Sequence, residues 1–257
     1  MNPKVILISI DGMRPDGVLQ CGNPYVQELM QIGSYTLDAQ TVYPSVTMPC
    51  HTSMFHGVSP ERHGMLSSKH LLPIDAVPGI MEQVRAANKA AAMFYNWEPL
   101  RKISQPGSLN HAFFIDAYVE EYTDNVVTQR ALECVQQYHP DFVFLYMLET
   151  DDKGGHNCGW MTPTYLHYLH NAINNVKKVQ ETIGDEYIII VTADHGGHDC
   201  THGTTMPEDM TIPMFFLGEP FQPGKELHGV SILDLAPTIA KILHLDTPSE
   251  WEGNPLV

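Results

Sequence analysis

Three near-continuous apolar runs punctuate the chain: Val5–Ile10, Phe142–Met147 and Tyr187–Val191. They are rich in β-branched and aromatic side chains and show no alternation, as expected of strands covered on both faces in a parallel sheet. Between them, 118–138 and 163–183 contain few helix breakers. In the second stretch Leu166, Leu169, Ile173 and Val176 recur at helical spacing, with Thr162-Pro163 as a start signal and Gly184 as a stop. The turn-rich segment Leu217–Gly224 precedes a last helix predicted near 231–243. Strands alternating with helices predict an α/β fold, a doubly wound, mostly parallel sheet with helices on both faces.

Each apolar run is followed within five residues by an aspartate, so Asp11, Asp152 and Asp194 are expected to converge beyond the carboxyl ends of their strands, where ligands bind in such sheets. Two of these aspartates have histidines beside them. Asp152-Lys-Gly-Gly-His156 has the form D-x-x-G-H, and Asp194-His195-Gly-Gly is followed by His202-Gly203. Carboxylates with neutral imidazoles suit zinc, and the glycines let adjacent side chains turn toward one ion. Of the 14 histidines, His156, His195 and His202 read as ligands, whereas His167 and His170 fall on the predicted helix and read as structural.

A further segment runs Tyr43-Pro-Ser-Val-Thr47-Met48-Pro49-Cys50-His51. Pro49 suits the first turn of a helix, which places Thr47 at that helix's positive end, where an alkoxide is stabilised. Threonine is a weak nucleophile unless a metal or base activates it.

Taken in order, I-D-G near the start, P-x-x-T-x-P-x-H, D-x-x-G-H and A-D-H-G-G before H-G resemble the nucleotide pyrophosphatase/phosphodiesterase branch of the alkaline-phosphatase superfamily. The resemblance runs from Val5 to the Ile212-Pro213 and Pro237-Thr-Ile segments. It implies an alkaline-phosphatase-like core with two zinc ions, Asp152, His156 and His202 holding one, and Asp11, Thr47, Asp194 and His195 the other. It also implies that Thr47 attacks phosphorus to give a phospho-threonine that water then cleaves. Manganese or iron could take the same ligands.

The chain departs from the branch at Met48 and Cys50, where an aromatic residue and an asparagine are usual. These two, with Tyr95 and Trp97, are the candidate substrate-contacting residues, Cys50 being expected to point toward a phosphate oxygen. Cys50 also invites a sulfatase reading, but the sequence after it lacks the C-x-P/A-x-R pattern. Cys158 and Cys200 lie beside the predicted ligands and read as packing residues, with metal binding as the alternative.

Composition narrows the partners. With 14 Lys+Arg against 30 Asp+Glu, the formal charge of −16 repels a nucleic-acid duplex, so the expected partner is a small phosphate ester. The 257 residues, 43% of them hydrophobic, suit one catalytic domain over 1–257 with no large inserted cap. The first residues read directly as a strand, no run approaches a membrane span, and five cysteines do not form an even disulfide framework. The expectation is a cytoplasmic protein without a membrane partner. The motifs thus predict a metal-dependent hydrolase of phosphodiesters or phosphoanhydrides. Phosphomonoesterase, phosphonate hydrolase, phosphomutase and a non-catalytic metal-binding protein are the rivals.

Overall fold

In the computed structural model, which describes residues 3–68 and 77–257, the apolar runs become neighbouring strands at the centre of one mixed sheet. Among the described residues the strands are β1 (Val5–Ile10), β2 (Ser34–Gln40), β3 (Ala91–Tyr95), β4 (His111–Phe114), β5 (Phe142–Met147), β6 (Ile188–Thr192) and β7 (Thr211–Leu217), in the order β2-β7-β6-β1-β5-β3-β4. From β6 to β4 the pairings are parallel, whereas β7 runs antiparallel to both β6 and β2. Every residue of β1 and β5 is buried, which accounts for the near-continuous apolar runs.

Side chains still alternate in what they meet. Phe142, Phe144 and Tyr146 face the helix Thr47–His56, with Phe55 edge-on to Phe144 at 4.8 Å between ring centroids and His51 edge-on to Tyr146 at 5.2 Å. Each such aromatic pair contributes roughly 0.5–1.5 kcal/mol beyond its buried area. On the opposite face Met147 meets Thr128 of the helix Thr123–Tyr138, which begins five residues later than the pattern predicts.

The helix Pro163–Ile183 joins β5 to β6 with the bounds its pattern predicts. Thr162 accepts a hydrogen bond from the Tyr165 amide, Pro163 stands in the first turn and Gly184 ends it. Its buried face is Tyr165, Leu169, Ala172, Ile173, Val176, Val179 and Ile183. The predicted last helix resolves into a short turn, Ile232–Asp234, followed by Leu235–Leu243. No helix among the described residues is long and apolar enough to cross a membrane.

This topology places the site. β1 lies between β5 and β6, and the chain leaves all three at the same edge, where Asp11, Asp151 and Asp194 follow within a few residues. The order of connection reverses there, opening the crevice in which doubly wound sheets bind ligands.

Candidate active site

Asp11 directly follows β1, with its amide bonded to the Met147 carbonyl, and is fully buried. Gly12 then turns the chain with φ +67°, a conformation that glycine adopts without strain, and a Cβ there would lie 2.9 Å from Asp151. The backbone can bend only because this position lacks a side chain, and the bend brings Asp11 beside the carboxylates from β5 and β6.

Four predicted residues meet at one point. The Nε2 atom of His195 lies 3.3 Å from Thr47 Oγ1, 3.4 Å from Asp11 Oδ1 and 3.3 Å from Asp194 Oδ2. A second group adjoins it through the same imidazole, with ligand atoms of Asp151, His195 and His202 all within 4.8 Å of one another. His156 completes this side, its Nε2 at 3.4 Å from Asp151 Oδ2.

The second group contains Asp151 where the motif spacing pointed to Asp152. The cause is local: Thr150–His156 forms a π-helical turn, in which residues five apart are bonded neighbours. That turn pairs Asp151 with His156, whereas the four-residue spacing of an α-helix would pair Asp152 with it. Asp152 is half-buried and belongs to neither group. The end of β5 is held for this turn by Asn96 and Asp124, whose side-chain oxygens accept the Leu148 amide at 3.1 and 3.0 Å. Burial, then the neighbouring Glu149, push the Asp124 carboxyl up to about 8.

The donors fit divalent metal ions. His195, His202 and His156 each engage a backbone carbonyl through Nδ1, those of Gly196, Ser45 and Cys200, at 2.8, 2.8 and 3.0 Å. That bond fixes the tautomer and leaves each Nε2 lone pair available, the usual arrangement around a metal-bound histidine. Asp11 Oδ1, Asp151 Oδ1 and Asp194 Oδ2 are buried without a hydrogen-bond partner, which is costly for a carboxylate and is relieved by a cation. The titration of the group reflects the same shortage of positive charge. Burial, then the charge of Asp194, hold Asp11 and Asp151 well above the usual carboxylate range. For Asp194 burial acts upward, but His195 and His51 outweigh it and the net shift is downward. Burial, followed by the nearby His195, drops His202 to about 3, so it stands as a neutral donor.

Thr47 occupies the first position of a helix whose N-cap residue, Val46, is extended. Its hydroxyl therefore sits at the positive helix end that the sequence predicts. Met48 and Cys50 do not line the site as expected. Met48 is enclosed in the core. Cys50 is also fully buried, its Sγ 3.3 Å from the Thr41 hydroxyl and 3.7 Å from the Pro44 carbonyl, because residues 41–45 fold over that side of the helix. Burial pushes its thiol pKa far upward. Tyr95 is buried with its ring against Phe114 at 5.3 Å, while Trp97 is partly buried.

Several contributing residues were given no role by the motifs, although His51 is the last residue of P-x-x-T-x-P-x-H. Trp160 binds three ligand loops together, donating its indole N–H to Gly12 O at 2.9 Å and packing against Gly155 and Gly197, where a Cβ would lie 2.6 and 2.2 Å from its ring. His51 bonds the Thr47 carbonyl at 2.8 Å and Ser9 at 3.0 Å. Tyr118 is an exposed ring bonded to Trp97, and its pKa is raised by partial burial and then by Asp152, Asp11 and Asp151. It lies on the rim of the carboxylate cluster. Gly155, just before the D-x-x-G-H histidine, and Gly197 are the sequence signal for Trp160, since a large ring packed there needs glycines opposite it; nothing in the spacing pointed to Tyr118.

Known proteins share this arrangement of strands. Human ectonucleotide pyrophosphatase/phosphodiesterase family member 1 is 26% identical over 222 residues, a match covering 76% of this chain and 23% of the human protein. The chain thus spans about a quarter of the length of the curated relatives it first matches. Among solved structures, an inactive variant of murine ectonucleotide pyrophosphatase/phosphodiesterase 5 in complex with AMP superposes with a TM-score of 0.82 at 15% identity, covering 96% of each chain. A phosphonate monoester hydrolase from Silicibacter pomeroyi gives 0.78 at 15% identity over 99% of this chain and 76% of its own. The family model for type I phosphodiesterase/nucleotide pyrophosphatase matches residues 5–211. With that model spanning most of its length, the chain belongs to the type I phosphodiesterase/nucleotide pyrophosphatase family.

Proposed function

We propose that the protein is a two-metal hydrolase of small phosphodiesters or phosphoanhydrides that acts through a covalent phospho-threonine at Thr47. One observation carries the reading: Thr47 Oγ1, Asp11 Oδ1 and Asp194 Oδ2 all lie 3.3–3.4 Å from His195 Nε2, and both carboxylate oxygens lack a hydrogen bond. Asp11, Thr47, Asp194 and His195 would hold one ion, and Asp151, His156 and His202 the other. Zinc suits this mixture of carboxylates and imidazoles, and manganese or iron could replace it. Bound there, the two ions would supply charge stabilisation to the attacking and leaving oxygens of an in-line displacement.

The chain's own groups define the remainder. Thr47 Oγ attacks phosphorus, and the bond to the leaving oxygen breaks on the opposite side. Helix polarity favours negative charge both on Oγ and on a phosphoryl oxygen beside the first turn. Water then attacks the phospho-threonine and restores the hydroxyl. Trp97 and Tyr118 would border the leaving group. A phosphonate or monoester substrate is the second reading, favoured by the enclosure of Met48 and Cys50, which leaves the first turn with no ring or amide to grip a larger diester.

Zinc-loaded protein should be assayed on p-nitrophenyl phosphate, bis(p-nitrophenyl) phosphate and p-nitrophenyl phenylphosphonate. The diester is expected to turn over fastest. Faster phosphonate or monoester turnover would select the second reading, and inertness toward all three with two metals bound would overturn both.

A further inference from the structure

Each carboxylate facing Thr47 has one oxygen held and one free. Asp194 Oδ1 accepts the amides of His195 at 2.9 Å and Gly12 at 3.3 Å, leaving Oδ2 without a hydrogen bond beside the His195 and His51 rings at 3.3 and 3.4 Å. Asp11 shows the same division with a different holder. Its Oδ2 accepts the phenol of Tyr146, and its Oδ1 makes no hydrogen bond, with His195 Nε2 at 3.4 Å. Tyr146 sits in β5 directly opposite Ser9 of β1, fully buried, with its ring edge on His51. A phenol with no path to water has one use for its proton here, and a bond to a charged acceptor is among the stronger hydrogen bonds. The Tyr146 side chain thus occupies the half of Asp11 that would otherwise be available to a metal.

We propose that Tyr146 is a positioning residue that makes Asp11 a one-oxygen ligand and thereby sets the metal preference of the Asp11–Thr47–Asp194–His195 site. An ion content with four donors in fixed directions, as zinc is, needs one oxygen from each carboxylate. Larger cations such as calcium take carboxylates through both oxygens and bind more donors at longer range. With Oδ2 committed to the phenol, the site disfavours the second kind. The backbone amides that hold Asp194 cannot be removed by substitution, so Tyr146 is the adjustable half of the device.

The inference rests on the two-metal reading, and one titration separates the two. Chelator-competition titrations of purified wild-type and Tyr146→Phe protein with zinc and with calcium give both stoichiometry and affinity. Wild type should bind two zinc ions; fewer would remove the two-metal reading itself. In Tyr146→Phe, zinc affinity at one of the two sites should fall about 10–100-fold while the other is unchanged, as for loss of a partner behind a metal ligand. The zinc-to-calcium affinity ratio at that site should fall with it. In an Asp11→Asn background, Tyr146→Phe should have no further effect. Unchanged zinc affinity, equal weakening of both sites, or an effect that persists in the Asp11→Asn background would overturn the proposal. A measurement on unaltered protein guards against a variant that fails to fold. The Tyr146 phenolic proton should give a slowly exchanging, downfield resonance in both zinc-free and zinc-loaded protein, and its loss on zinc binding would show that Asp11 had released the phenol.

Discussion

Replacing Asp151 and Asp152 separately by asparagine distinguishes two neighbours that the motif cannot. Asp151 is 5% exposed, held above the usual carboxylate range by burial and then by Asp194, and has an unpartnered oxygen. In metal-free protein it is therefore a liability, and Asp151→Asn should stabilise the fold. A fully ionised buried carboxylate would cost several kcal/mol, but partial protonation relieves much of it, so the gain is about 1–2 kcal/mol. For a chain of this size that raises the melting temperature by roughly 2–6 °C. With saturating zinc the order should reverse, because the variant lacks a ligand and forfeits most of the stabilisation that ligand binding gives the native state. Loss of the ion should also lower turnover by about 10³-fold if it contributes ~4 kcal/mol to the transition state. Asp152 is half-buried and outside both groups, so Asp152→Asn should stay within about 0.5 kcal/mol of wild type with or without zinc. The assay is thermal melting of each protein after chelation and after zinc loading, with metal content measured on the same samples. If the crossing of melting curves appears in Asp152→Asn instead, the π-helical register and the ligand set built on it are wrong.

Three further outcomes follow from the same geometry. Thr47→Ala should lower diester turnover at least ~10³-fold while zinc content stays near two per chain, because three protein donors remain around that ion; near-normal turnover would make water the first nucleophile. Cys50→Asn should cost about 1–3 kcal/mol in denaturant unfolding, since a larger amide enters the enclosed space beside Thr41 and Pro44, and it should bring no gain in diester hydrolysis. His63 should weaken the fold in mild acid: its Nδ1 accepts the Met65 amide, its other nitrogen meets Ser53 at 2.9 Å, and burial, then His56, lower its pKa from 6.5 to about 4. The native state there binds fewer protons than the unfolded chain, so stability is full above pH 6.5 and falls as pH drops toward 4. Allowing for its partial solvent access the loss is about 1–3 kcal/mol, and a His63→Gln variant should show a correspondingly flatter profile in urea unfolding between those limits.

The central strands and the long connecting helix were legible because burial on both faces and on one face leave different patterns. β1 and β5 required apolar residues at nearly every position, Ser9 being satisfied by His51, and Pro163–Ile183 required them at helical spacing between clear end signals. β7 was harder to read, since Pro213 interrupts a run that otherwise looks like a strand, and the short edge strands β2 and β4 carry mixed patterns. In the site, the gathering of His156, His195, His202 and Thr47 at one place was legible from motif spacing. The choice between Asp151 and Asp152 was not, because it depends on one extra residue in a turn, and spacing alone assumes α-helical geometry. Cys50 was misplaced for a related reason. Its position in the first turn of the helix was right, but which side of the helix loop 41–45 would cover depends on tertiary packing. Tyr146 reads in sequence as another core aromatic, and only the neighbouring strand reveals that its hydroxyl meets Asp11.

The direct test of a covalent phospho-threonine is the stereochemical course at phosphorus. Hydrolysis of a phosphorothioate diester of defined chirality in oxygen-18 water, with the product's configuration determined, counts the displacements. Each in-line displacement inverts phosphorus, so attack by Thr47 followed by attack of water predicts overall retention. Overall inversion would mean that water displaces the leaving group in a single step, and would contradict the assignment of Thr47 as the nucleophile.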